Sequence, residues 1–152
     1  MDIVSAEQTS LDMALTQIGA KVTSIHGLLC FVRYYIDDTE LYYVYNINAK
    51  NQYYLQRVLP YPVGAGVFAK PDDIVEYIKN DIKQFENASN SSNFERFIET
   101  TQKIHQTVHA IEEVFMNYNV SPEKMQEIDT ELSHITNILE NIKNKCVRIV
   151  VV

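Results

Sequence analysis

The chain has too few basic residues to grip a nucleic acid, too few cysteines for a disulfide scaffold and no apolar run that could span a bilayer. Thirteen Lys and Arg stand against twenty Asp and Glu over 152 residues, a formal charge of −7. Non-specific nucleic-acid affinity comes mostly from neutralised phosphates, so this balance argues against DNA or RNA as a partner. The two cysteines, Cys30 and Cys146, form no CxxC or HxxC pair, which predicts reduced thiols, no zinc knuckle and a cytoplasmic setting. A membrane helix needs roughly 20 apolar residues, and no stretch approaches that, so no membrane partner is expected. The opening Met1-Asp2-Ile3-Val4 brings neither a basic region nor a sustained apolar core, so no secretory leader is expected. The glycosylation-type triplets Asn87-Ala88-Ser89 and Asn90-Ser91-Ser92 are then chemically idle.

Catalytic signatures are also missing. There is no Gly-x-Ser-x-Gly, no His-Glu-x-x-His and no cysteine with a well-placed histidine. The acidic pairs Asp37-Asp38, Asp72-Asp73 and Glu112-Glu113 fall in a turn, at a helix start and on a helix flank, where solvated carboxylates belong. Gly64-Ala65-Gly66 lacks the third glycine of a dinucleotide loop and the Gly-Lys-Ser/Thr of a P-loop. No catalytic residue, no cofactor and no metal site is expected, and the chain reads as a non-enzyme.

What is present is enough to fold: 46% hydrophobic against 22% charged residues, with no segment of simple composition. The expected class is α+β, an N-terminal antiparallel β-meander with two flanking helices, then a C-terminal antiparallel helical hairpin and a short terminal β-strand. Leu11, Ala14, Leu15 and Ile18 predict a helix over 10–18, capped by Ser10 and ended by Gly19. Period-two, β-branched and aromatic runs predict strands over 21–25, 28–36, 40–47 and 52–58. Their turns are His26-Gly27, Asp37-Asp38-Thr39 and Asn48-Ala49-Lys50-Asn51. Leu59-Pro60-Tyr61-Pro62 breaks the sheet, and a loop through Gly64 and Gly66 leads to a helix opened by Pro71, with Ile74, Ile78, Ile82 and Phe85 as its apolar stripe. The division is a sheet domain over 1–88, a small polar linker over 89–93, a hairpin over 94–145 and a strand over 146–152.

The hairpin carries the strongest pattern. Phe94, Phe97, Thr101, Ile104, Val108, Ile111, Phe115 and Tyr118 recur at alternating spacings of three and four. Ser121 and Pro122 then open a second run through Met125, Ile128, Leu132, Ile135, Leu139 and Ile142. Ile98, Val114 and Ile138 widen both stripes beyond what two helices cover, which favours a homo-oligomer built on Phe97, Ile104, Val108, Ile111, Phe115, Ile128, Leu132, Ile135, Leu139 and Ile142. The apolar tail Cys146-Val147-Arg148-Ile149-Val150-Val151-Val152 is expected to pair as a strand, within its own chain or with a partner copy.

Two further constellations bear on function. Strand alternation gathers Arg33, Tyr35, Tyr42, Asn46, Tyr54 and Gln56 on one sheet face, with Tyr34, Tyr43, Tyr45, Tyr53 and Leu55 on the other. With Gly64 and Gly66 the first set is a candidate platform for a planar, nucleotide-like anion. His105, His109 and Glu112 share helical spacing suited to a metal ion, with His134 level with His105, though solvated flank histidines are the commoner outcome. The favoured reading is a non-enzymatic oligomeric regulator or inhibitor that binds another protein. The alternatives are a protein sequestering a nucleotide-like small molecule, as a phage-type counter-defence protein does, and a metal-dependent enzyme using the hairpin histidines.

Overall fold

In the first half of the chain, alternate residues are apolar, so each strand has one face to hide, and the helices on either side supply the cover. The computed structural model describes residues 3–25, 29–48 and 50–149. It comprises α1 (Ile3–Gln17), β1 (Lys21–Ile25), β2 (Leu29–Ile36), β3 (Thr39–Ile47), β4 (Tyr53–Leu59), β5 (Val63–Phe68), α2 (Pro71–Ser89), α3 (Phe94–Asn117) and α4 (Pro122–Lys145). The class is α+β, with an antiparallel meander and flanking helices followed by two long helices. The five strands pair in sequence order, β1-β2-β3-β4-β5. The chain divides into two compact units, Met1–Gln102 and Lys103–Val152, with the division inside α3. Among the described residues no helix is long and apolar enough to cross a membrane.

The first unit's core lies between one sheet face and α1 and α2. Val32, Leu41 and Leu55 meet Leu15 of α1 and Ile74 and Ile78 of α2, all with no exposed surface. Burying a side chain of this size contributes roughly 1.5–3 kcal/mol, so these contacts outweigh any local propensity. Ile36 pairs with Thr39, which makes Asp37-Asp38 a two-residue hairpin turn, and Asp37 takes a φ of 49° that a short polar side chain tolerates. Thr39, expected in that turn, opens β3 instead. Asn48 Oδ1 accepts from the Lys50 and Gln52 amides at 2.8 and 3.0 Å, closing the next turn. The His26-Gly27 turn, Leu28 and Ala49 lie outside the described residues.

Three expectations need correction. First, α1 starts at Ile3, so Ser10 sits inside the helix and caps nothing; the apolar spacing that marked the helix begins only at Leu11. Its end is as expected, with Gly19 at φ 86° and its amide donating to the Thr16 carbonyl.

Second, the prolines after β4 do not end the sheet. The chain turns at Pro60-Tyr61-Pro62 and returns as β5, with Val63 opposite Arg57, Gly64 opposite Gln56 and Gly66 opposite Leu55. Both prolines lie in the turn, where their missing N–H costs no ladder bond. Gly66, at φ 112°, accompanies a register shift between Leu55 and Gln56.

Third, no strand forms over Cys146–Ile149. The Cys146 amide donates to the Ile142 carbonyl as the last bond of α4, and the described residues after it, 147–149, pair with no strand. Val150, Val151 and Val152 lie outside the described residues.

The polar segment expected as a linker is a tight turn. α2 runs to Ser89, Ser91 Oγ accepts from the Asn93 amide, and α3 starts at Phe94. Phe94 and Ile98 then pack on the core cluster, which carries the first unit on to Gln102. In the second unit Ser121 caps α4 by accepting from the Lys124 amide at 3.4 Å, and Pro122 follows at the first helical position.

Replacing Ile78 by alanine removes a side chain with no exposed surface from the centre of this core. The expected cost is about 2–5 kcal/mol, read as a lower urea midpoint at unchanged slope.

Candidate functional site

The alternation read from the sequence left open which face of the sheet the candidate ligand residues occupy, and the helices settle it by covering the other face. Arg33, Tyr35, Asn46 and Tyr54 are exposed on the outer sheet face, with Tyr42 and Gln56 half-buried among them. Arg33 lies opposite Tyr42, and its guanidinium sits 4.9 Å from the centre of that ring. The Tyr42 ring in turn stacks on Phe31 at 6.0 Å. Arg33 Nε also faces Glu40 Oε1 at 3.4 Å, so its charge already has an acidic neighbour that an incoming anion would have to displace. Asn46 and Tyr54 pair with each other four residues further along β3, about 13 Å away at strand rise. Gly64 lies beside the Tyr54 hydroxyl, while Gly66 pairs with Leu55 within β5. The set shares a face but spreads along it without converging on one point.

The inner tyrosines make the more organised arrangement. The Tyr53 hydroxyl donates to Glu7 Oε2 at 2.9 Å, and Gln8 Nε2 donates to the Tyr45 hydroxyl at 2.8 Å. These two bonds reach α1. The Tyr43 hydroxyl donates to Asp81 Oδ2 and the Tyr34 hydroxyl to Glu86 Oε1, each at 2.8 Å, and these reach α2. Burial raises the ionisation of Tyr43 and Tyr45 well above the ordinary tyrosine value, with the Asp81 charge adding to it at Tyr43 and the Cys30 contact at Tyr45. Tyr53 is pushed up to about 12, by burial first and then by its bond to Glu7.

Sequence reasoning passed over the charged pair at the centre of this arrangement. Arg57 Nη1 lies 2.7 and 2.8 Å from the two Asp81 oxygens, and its side chain is 6% exposed against 12% for Asp81. The guanidinium carbon lies 4.6 Å from the centre of the Tyr61 ring and 4.8 Å from that of Phe85, two rings that are themselves in contact with centres 6.1 Å apart. Beside the pair is a cavity of about 320 Å³, walled by Tyr61, Tyr77, Phe85 and Phe97 and rimmed by Gln84 and Ala88. Burial raises the ionisation of Tyr61 and Tyr77 as well. The signal was available: Arg57 follows Tyr53 and Leu55 on the inward alternation of β4. Asp81 falls on the apolar stripe Ile74, Ile78, Ile82 and Phe85. Two opposite charges at positions patterned for the core call for each other.

No protein-family model, curated protein or solved structure matches the chain. Any functional reading therefore rests on geometry. Among the described residues no group of three or more His, Cys, Asp or Glu could hold a metal ion, so His105, His109, Glu112 and His134 do not gather into such a cluster. The candidate assembly residues are the other large feature. Ile104 and Leu132 are 51% and 50% exposed, and Val108, Phe115, Ile135, Leu139 and Ile142 are similarly open. Ile111 and Ile128 are half-buried, and no residue of α3 or α4 is buried. Phe97 lies in the first unit, where its ring meets Tyr61 and Phe85.

Two outcomes test the buried pair and the tyrosine anchors. Asp81→Ala strands the Arg57 charge and is expected to cost about 3–5 kcal/mol in urea unfolding, whereas the double change Arg57→Met with Asp81→Leu recovers most of it. The raised tyrosines favour the protonated form in the folded state. Their contribution is thus complete below the unfolded value near 10 and is lost as pH rises towards about 12, where Tyr53 ionises. Tyrosinate absorbance should show a late group, the raised tyrosines, that appears together with unfolding.

Proposed function

We propose that the chain is a non-enzymatic interaction protein of the cytoplasm, which assembles with copies of itself through α3 and α4 and regulates or inhibits a partner protein by binding it. One observation carries this reading: two 24-residue helices present heptad-spaced apolar side chains that stay about half exposed and bury none. Contiguous apolar surface beyond a few hundred Å² is rare on a monomer and marks an interaction site. Each helix is about 36 Å long at 1.5 Å per residue, so the stripes are long enough for the 1,200 Å² or more, roughly, of a stable interface.

A second copy is the occupant that fits. Both stripes share the three-and-four spacing that lets knobs of one helix enter holes of another, and two hairpins side by side make a four-helix bundle. The ion pairs Lys124–Glu127 and Lys143–Glu140 keep charges on the flanks of α4, clear of its seam. The net charge of −7 then suits a partner that presents a basic docking patch.

Size-exclusion chromatography with light scattering on the full chain at tens of micromolar should give a mass of at least two copies. A monomer at that concentration overturns the reading. Leu132→Glu, which sets a carboxylate in the middle of the α4 seam, should shift the assembly to smaller species by at least about tenfold in dissociation constant, or 1.4 kcal/mol. The near-ultraviolet tyrosine signal of the sheet should stay unchanged.

A further inference from the structure

The cavity beside Arg57 and Asp81 has a chemistry that the assembly reading does not use. Its polar wall is a neutralised pair, so it offers no net charge to attract an anion or a cation. A ligand carboxylate would face Asp81, and a ligand ammonium would face Arg57. What the pair does offer is one donor edge and one acceptor edge side by side. Arg57 Nη1 is engaged by both Asp81 oxygens, Nε lies 3.5 Å from the Tyr61 carbonyl oxygen and the Tyr61 side chain also hydrogen-bonds the guanidinium, which leaves capacity for one further bond from its five N–H groups. Asp81 Oδ2 accepts from both Tyr43 and Arg57, while Oδ1 accepts from Arg57, leaving capacity for a second donor at Oδ1.

The remaining wall is aromatic. Tyr61, Tyr77, Phe85 and Phe97 supply flat faces, which favour a planar ring between or against them. A volume of about 320 Å³ takes one small ring system and its substituents, at the lower end of ligand sites. Ala88, near the end of α2, lines the cavity with no more than a methyl group. All of these residues lie within the first unit, so the site is complete in one chain without α4.

The geometry points to a binding site for a neutral, planar heteroaromatic ring with a lactam edge, the adjacent N–H and C=O of an oxopurine or oxopyrimidine. The lactam N–H donates to Asp81, the lactam oxygen accepts from Arg57, and the ring stacks on the aromatic wall. Charged-group hydrogen bonds in a half-buried site discriminate strongly, because a ring without the matching edge leaves both partners unanswered.

Titration calorimetry and saturation-transfer NMR on the full chain with hypoxanthine test this, with 1-methylhypoxanthine as the ring whose N–H is blocked and benzoate as a charged planar control. Saturable hypoxanthine binding is expected, weakened at least about tenfold by the methyl group, with none for benzoate. Ala88→Phe puts a ring into the cavity and should abolish binding while the circular dichroism spectrum is retained. Where that variant does not fold, Gln84→Trp at the exposed rim serves the same purpose. No saturation by hypoxanthine, guanosine or uracil up to millimolar concentration overturns the proposal. Equal binding of the methylated ring, or full binding by a folded Ala88→Phe or Gln84→Trp protein, overturns it too.

Discussion

Tyrosine hydroxyls crossing from the sheet to its helices are what the first unit's arrangement depends on. A buried hydroxyl without a partner costs about 1–3 kcal/mol, so each inward tyrosine must find a polar group on whatever covers it. Tyr53 finds Glu7 and Tyr45 finds Gln8, which ties α1 to β4 and β3. Tyr43 finds Asp81 and Tyr34 finds Glu86, which ties α2 to β3 and β2. Apolar burial supplies most of the free energy, but it is indifferent to a slide of one helical turn along the sheet. The hydroxyl bonds are not, and they select one docking position for each helix.

Asp81 is where this constraint meets the site. It takes the Tyr43 hydroxyl and the Arg57 guanidinium together, and the guanidinium in turn organises Tyr61 and Phe85 around itself. A cavity with aligned polar and aromatic walls is the by-product of holding α2 in place. The second unit stands in contrast. Its helices satisfy their backbone and cap α4 with Ser121, yet they leave their apolar side chains unburied. One unit is closed around its own chemistry and the other leaves its apolar stripes open.

Much of this was legible in the sequence where a single period governs a segment. The tyrosines divide between the two sheet faces as strand alternation requires, and only the position of the helices decides which face is inward. The two long helices followed from their three-and-four spacing, and Pro71 and Pro122 marked two helix starts. What was missed lies where two rules compete. Val63–Phe68 carries two glycines after two prolines, which reads as loop, and only the pairing with β4 makes it a strand. The first turns of α1 carry no apolar spacing from which to read them. Arg57 and Asp81 were overlooked, although their positions within two apolar patterns identify them as a pair. Val147, Arg148 and Ile149 come from a run with strong β propensity, yet none of the three is in a strand, since propensity alone makes no ladder.

Strand β5 has a consequence of its own. It borders the sheet, and its sequence, Val63-Gly64-Ala65-Gly66-Val67-Phe68, holds none of the lysines that usually keep such a border from recruiting another chain. What remains to discourage recruitment is shape: the left-handed backbone at Gly66 and the slipped register beside it bend the border away from the flat line a foreign strand would need. There is open space for a methyl group at Gly66, so it is backbone handedness alone that reserves the position for glycine. The gatekeeper of this sheet is thus a twist in the chain where other proteins use a charge.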